Sequence, residues 1–257
     1  MFIDTHCHLT DKYTGGADAV IARAIENNVG IMICPTADPA DIPGALALAE
    51  KHDNIYCTIG IHPEYAPCDA DKHLTDDVLN HPRVVGVGEI GLDYHYSPQT
   101  RDAQIKLFEQ QLEIAKKHAL PVAIHTRDAE EDTAAILDGD VRGVMHCFTS
   151  SWNLAKKMLD RGFYFSASGI MTFKNSQDIR DTFMKIPIDR IVIETDAPFC
   201  APVPHRGKTC EPFMVTETAR MLADIKNLQM DDLESILMQN VKQLYPKINI
   251  YNGTSDY

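Results

Sequence analysis

Short runs of β-branched and other apolar residues alternate along this chain with longer stretches whose apolar positions recur every three or four residues. The runs are Phe2 to Thr5, Ile31 to Cys34, Ile55 to Ile59, Val84 to Val87, Pro121 to Ile124, Val144 to Met145, Phe163 to Ser166 and Arg190 to Glu194. They are continuous rather than strictly alternating, the pattern of strands buried on both faces. The stretches between them read as helices: 17–28, 39–52, 72–80, 100–118, 128–137, 151–160, 178–184, 211–224 and 230–244. In the longest, Ile105, Phe108, Leu112 and Ala115 fall on one helical face. Gly30 stops the first helix, and Ser150 is placed to cap the one that follows it.

Eight strands separated by helical crossovers predict an α/β fold, a (β/α)8 TIM-like barrel occupying residues 1–257 as one domain. A doubly wound open sheet is the alternative. The barrel is preferred because candidate ligands follow the first, fourth, fifth, sixth and eighth strands, and a barrel brings such ends together on one rim. The longest connection, Asp196 to Cys210, is rich in proline and is expected to wall the site.

A length of 257 residues and a hydrophobic share of 44% suit one enzyme-sized core. The formal net charge of −13 argues against a surface that clamps duplex DNA by positive potential. It leaves room for a site that meets phosphate through bound cations and a few arginines. Seven cysteines at irregular spacing, with no CxxC pair, suggest free thiols in a reducing compartment. No basic and apolar leader opens the sequence, and no run reaches transmembrane length. The expectation is a cytoplasmic protein with no membrane association and no obligate protein partner. The glycosylation triplet at Asn252 carries no weight in such a compartment.

The chemistry lies at the strand ends. His6 and His8 form a His-x-His pair, and a period of two puts both imidazoles on one side of an extended chain. Glu89 stands between glycines in VVGVGEIG, and a carboxylate with two oxygens can bridge two cations. His125 ends the fifth strand and His146 the sixth, both suited to transition ions. Asp196, beyond the eighth strand, can bind a cation and take a proton from attacking water. Glu194 either orients a ligand imidazole or makes a salt bridge in the barrel. His62, Arg127 and Arg206 are candidates for phosphate contacts, with His205 and Lys208 in the same loop as Arg206. Tyr94 and Tyr96 either stack on a base or wall the pocket, and Trp152 reads as packing. There is no Walker A loop, GxSxG or zinc-finger spacing.

These motifs resemble the TatD family of metal-dependent deoxyribonucleases, within the amidohydrolase-like superfamily. The resemblance is carried by DTHCHL at 4–9, GIHPE at 60–64, GEIGLDYHY at 88–96, HTRDA at 125–129, MHCFTS at 145–150, SGIMTF at 168–173, ETDAPF at 194–199 and APVPHRGK at 201–208. It implies two divalent metal ions, Mg²⁺ or Mn²⁺, with Zn²⁺ as the other choice. One would be held by His6, His8, Glu89 and Asp196, the other by Glu89, His125 and His146. Related barrels carry a carboxylated lysine where this chain has Glu89, which favours the nuclease branch. The implied activity is 3'-5' exodeoxyribonuclease action on DNA ends, single-stranded or frayed, with RNA as a further partner. Asp196 and Glu89 would be the catalytic pair, and His62, Arg127, Arg206 and Tyr94 would contact substrate. The same ligands would serve a hydrolase of a small ester, an amide or a misacylated tRNA. A barrel kept only for interaction would have no need of so complete a ligand set.

Overall fold

The computed structural model describes residues 1–10, 13–137 and 139–249, and Asn252 lies outside the described residues. The strands are β1 (Phe2–Asp4), β2 (Val29–Pro35), β3 (Ile55–Thr58), β4 (Val84–Asp93), β5 (Val122–Arg127), β6 (Gly143–Met145), β7 (Tyr164–Ala167) and β8 (Ile191–Ile193). They form one sheet in chain order, each strand parallel to the next. The sheet returns on itself. Thr5 N donates to Ile193 O (3.1 Å), Asp196 N donates to His6 O (2.9 Å), and Cys7 bridges Ala197 in parallel. The expected (β/α)8 TIM-like barrel is therefore the fold, and the open sheet is not.

Between strands run α1 (Gly16–Glu26), α2 (Ile42–Lys51), α3 (Asp76–Leu79), α4 (Arg101–Lys117), α5 (Glu130–Ile136), α6 (Trp152–Asp160) and α7 (Gln177–Lys185), followed after β8 by α8 (Val215–Lys226) and α9 (Met230–Leu244). A larger apolar layer joins the outer faces of the strands to these helices. A second cluster fills the barrel. Ile3, Ile33, Tyr56, Val85, Ala123, Val144, Tyr164 and Val192 supply one side chain from each strand, and Val241, Leu244 and Tyr245 of the α9 region pack against them. The last helix thus seals one end of the barrel.

That inner layer sets the position of the site. Successive side chains of a strand alternate faces, so the residue two places on from an inward apolar one also points inward. Two places beyond Ala123, Val144 and Val192 stand His125, His146 and Glu194. In these three strands the interior changes from apolar to ionisable within one step.

Several boundaries differ from the sequence pattern. β4 continues past Val87 to Asp93. Its glycines permit close approach to β5: a Cβ on Gly88 would lie 2.6 Å from Ala123 Cβ. The β4–β5 register shifts between Val87 and Ile90, a bulge at the position of Glu89. β5 likewise runs on to Arg127, so His125 lies within the strand. The helix expected over 72–80 is a 3₁₀ turn, Ala70–Lys72, and the four-residue α3. Ser151, not Ser150, caps α6, its hydroxyl accepting from Leu154 N at 3.3 Å. A cap must stand one residue before the first helical turn, and that turn begins at Trp152.

Candidate metal centre

His6 and His8 sit in the extended segment that continues β1, pinned by Cys7 N donating to Ile33 O and His8 N donating to Ala197 O. Their ring centroids are 5.2 Å apart. His6 stacks on His146 with centroids 3.6 Å apart. The strand ends therefore bring residues from β1, β4, β5, β6 and β8 together, as the spacing along the chain predicts.

Glu89 lies at the middle, and its two oxygens face different partners. Oε2 is 3.5 Å from His6 Nε2 and 3.9 Å from His8 Nε2. Oε1 is 2.9 Å from His125 Nδ1, 3.4 Å from His146 Nε2 and 3.8 Å from His62 Nε2. On the Oε2 side, Asp196 Oδ1 lies 3.9 Å from His6 and 3.8 Å from His8. His6, His8 and Glu89 form one group able to hold a cation, and Glu89, His125 and His146 another, each with its ligand atoms within 4.8 Å of one another.

The donor set fits divalent cations. His6 Nε2 is buried and has no hydrogen-bond partner. A buried imidazole nitrogen without a partner is costly, and a cation between it and the facing carboxylate removes the cost. Around a tetrahedral ion with bond lengths near 2.05 and 2.1 Å, nitrogen and oxygen ligands stand about 3.4 Å apart. The His6–Glu89 and His146–Glu89 separations of 3.5 and 3.4 Å have that size.

The electrostatics agree. Burial holds the His8 ring down to about 3 and that of His62 to about 4, so both stay neutral; His8 keeps a lone pair for a ligand role, whereas His62 Nδ1 accepts from Glu64 N at 3.2 Å. Burial likewise lowers His6. Burial also opposes charge on His125 and His146, but carboxylates outweigh it and raise both: Asp93 and Glu89 for His125, Glu194 and Glu89 for His146. Burial pushes Asp196 well up. Burial would push Glu89 up as well, but the surrounding imidazoles bring it well below the usual carboxylate range. This side of the centre calls for positive charge, which protons or a cation can supply.

Two carboxylates stand behind the histidines. Glu194 Oε1 is 2.8 Å from His146 Nδ1, close enough for an ion pair although the angle is poor for a hydrogen bond, and it also accepts from Cys147 N at 2.8 Å. Asp93 Oδ2 is 3.0 Å from His125 Nε2, while its Oδ1 accepts from the backbone of His95 and Tyr96. Asp93 escapes sequence reasoning because the apolar run of β4 ends at Val87, short of it. Its signal is period two, four residues on from Glu89 along one strand.

The remaining expected residues divide. His62 joins the cluster, its ring centroid 4.6 Å from that of His125. Arg127 lies over the Tyr96 ring, 4.6 Å from its centroid. Arg206 covers Phe173 at 3.7 Å and donates to Ala201 O. Tyr94 is tied to the helices: its hydroxyl donates to Asp132 at 2.6 Å and Arg101 lies over its ring. That bond holds the partly buried Tyr94 ring in place, whereas the Tyr96 ring is 69% exposed. His205 packs edge-on against Phe213, and Trp152 lies under Lys185 at the start of α6. Phe199, not singled out from the sequence, is 61% exposed and 6.3 Å from the His8 ring.

The fold and site define a barrel hydrolase scaffold with an imidazole–carboxylate metal centre. Residues 3–246 match the family model described as TatD related DNase, and the chain belongs to that family. It is 38% identical over 252 residues to the metal-dependent hydrolase YabD of Bacillus subtilis, covering 95% of this chain and 99% of the relative. It is 37% identical over 254 residues to the metal-dependent hydrolase YcfH of Escherichia coli, covering 95% of each. The crystal structure of the TatD homologue YjjV from Escherichia coli superposes with a TM-score of 0.87 at 29% identity, covering 95% of this chain and 98% of that one.

Proposed function

We propose that this chain is a metal-dependent 3'-5' exodeoxyribonuclease that removes nucleotides from single-stranded or frayed DNA ends, with RNA ends as a secondary substrate. The observation that carries the reading is the two-sided Glu89, with His6 and His8 on one oxygen and His125 and His146 on the other. Membership of the TatD related DNase family supports phosphodiesters as the substrate class.

His6, His8, Glu89 and Asp196 would hold one divalent cation, and Glu89, His125 and His146 a second, with Mg²⁺ or Mn²⁺ preferred and Zn²⁺ also fitting the nitrogen donors. Such cations supply Lewis acidity to a phosphoryl oxygen and acidify water at neutral pH. The chain's own groups do the rest. The Asp196 carboxylate, at the rim of the cluster, receives the proton of the attacking water. His62 stands beside the centre as a phosphate or leaving-group contact. Arg127 and Arg206 neutralise the backbone of the incoming strand.

The mouth suits a free strand better than a duplex. Tyr96, 69% exposed and backed by Arg127, and Phe199 offer ring faces to unpaired bases. The net charge of −13 gives no broad positive surface for duplex phosphates. No helix among the described residues is long and apolar enough to cross a membrane.

The test is 5'-labelled single-stranded DNA with Mg²⁺ or Mn²⁺, beside an Asp196→Asn control. A one-nucleotide ladder shortening from the 3' end, lost in the control, is the expected result. Intact DNA in every metal, from protein that retains its ions, would overturn the nuclease assignment and favour ester, amide or acyl-tRNA hydrolysis.

A further inference from the structure

Asp196 has a second face. Oδ1 looks toward His6 and His8, but Oδ2 lies 3.6 Å from Cys200 Sγ. Cys147, Asp196 and Cys200 each offer one ligand atom, and the three atoms lie within 4.8 Å of one another. We propose that these three residues form an additional, sulfur-containing cation site that takes a thiophilic divalent ion such as Zn²⁺ or Cd²⁺ in preference to Mg²⁺. The site shares Asp196 with the histidine centre and goes beyond the nuclease reading.

The dimensions support it. With zinc–sulfur bonds near 2.3 Å and zinc–oxygen bonds near 2.1 Å, tetrahedral sulfur and oxygen ligands stand about 3.6 Å apart. The Cys200–Asp196 separation equals that distance. Thiolates are soft donors and discriminate strongly for zinc-like ions over magnesium, unlike the histidine–carboxylate groups beside them. Ser168 Oγ accepts from the Cys147 thiol at 3.1 Å and fixes its direction.

The chain also sets this pair apart from its other cysteines. Cys7, Cys34, Cys57 and Cys210 are buried, and none of them, nor Cys68, belongs to any ligand group among the described residues. Cys147 and Cys200 are partly exposed, so an ion can reach them. The three ligands have left-handed backbones, with φ of 40° at Cys147, 58° at Asp196 and 55° at Cys200. Non-glycine residues adopt that conformation at a cost and tend to be kept in it at ligand clamps. Binding releases the thiol protons to solvent and fixes Asp196 between two cation sites.

The experiment uses the reduced full chain in saturating Mg²⁺, titrated with Cd²⁺ while the thiolate-to-cadmium charge-transfer absorption is followed. One equivalent should saturate the band in the wild type. Cys147→Ser and Cys200→Ser should each weaken Cd²⁺ binding at least about ten-fold, as expected for loss of one of three ligands, while Cys68→Ser keeps the wild-type curve. Circular dichroism checks that every variant is folded. No band in the wild type, an unchanged band in both Cys147→Ser and Cys200→Ser, or equal loss in Cys68→Ser overturns the site. The readout is absorbance, so its failure is distinct from a failure to cut DNA.

Discussion

Asp93 holds the ring of His125 from behind, its Oδ2 3.0 Å from Nε2 while Nδ1 reaches Glu89. A carboxylate in that position fixes the tautomer and orientation of a ligand imidazole and makes the opposite nitrogen a better donor. Asp93→Asn should weaken metal binding on the His125 side by about 10–100-fold. Calorimetric Mn²⁺ titration would show it as a loss of affinity in one of two binding steps, with the other step unaltered. Activity should recover at high Mn²⁺. Two unchanged steps would mean that Asp93 only braces the loop after β4.

Tyr96 is the ring most open to a substrate strand, and Arg127 stiffens it from below. Stacking of one base is worth about 1–3 kcal/mol, a factor of about 5–150 in binding. Tyr96→Ala should raise KM for single-stranded DNA by roughly ten-fold and leave kcat within a factor of about two, because the ring touches no metal-centre residue except through its own loop. A fall in kcat with constant KM would place the ring in the chemistry instead.

Asp18 in α1 reaches the end of α2, with Oδ2 2.5 Å from Lys51 Nζ and Oδ1 2.8 Å from His52 Nε2. Hydrogen bonds from Lys51 and His52 hold its carboxyl below the ordinary aspartate value. A depressed acid stabilises the folded state above its unfolded value near 3.8, and the stabilisation disappears as pH falls through the lower folded value. The group is exposed, so the effect is small, a melting-temperature change of about 1–3 °C. The difference between wild type and Asp18→Asn should be present at pH 7 and shrink progressively as pH falls below 3.8. A difference that persists in acid would show that the residue acts by packing.

The barrel and the gathering of its strand-end ligands are legible in the sequence because both follow from periodicity. Continuous apolar runs mark buried parallel strands, and closing eight of them forces His6, Glu89, His125, His146 and Asp196 onto one rim. Asp93 is hidden because Gly88 and Gly91 resemble strand ends, whereas they mark where β4 and β5 come close. The Cys147–Cys200 pairing is hidden for another reason: the two residues follow different strands, and neither has a partner within a local motif. The tie between Tyr94 and Asp132 is a long-range contact that no local pattern encodes.

Gly91 shows how tightly that approach constrains the site. Its φ is +141°, and a Cβ built there would stand 2.0 Å from the carbonyl oxygen of His125. That oxygen belongs to the backbone and cannot swing aside. Gly91→Ala must therefore separate β4 from β5 at the point where one carries Glu89 and Asp93 and the other His125. Overpacking of this kind typically costs about 1–3 kcal/mol, and the unfavourable φ adds to it. The variant should melt several degrees lower, and its Mn²⁺ stoichiometry should fall from two towards one, since the His125 side loses its geometry while His6 and His8 keep theirs. Leu244→Ala, which empties part of the sealed end of the barrel, is the control. It should cost about 2–5 kcal/mol of stability and leave metal stoichiometry unaltered at temperatures where it is folded. If Gly91→Ala lost stability but bound the same number of ions with the same affinity, the close approach of β4 and β5 would matter to the fold and not to the centre.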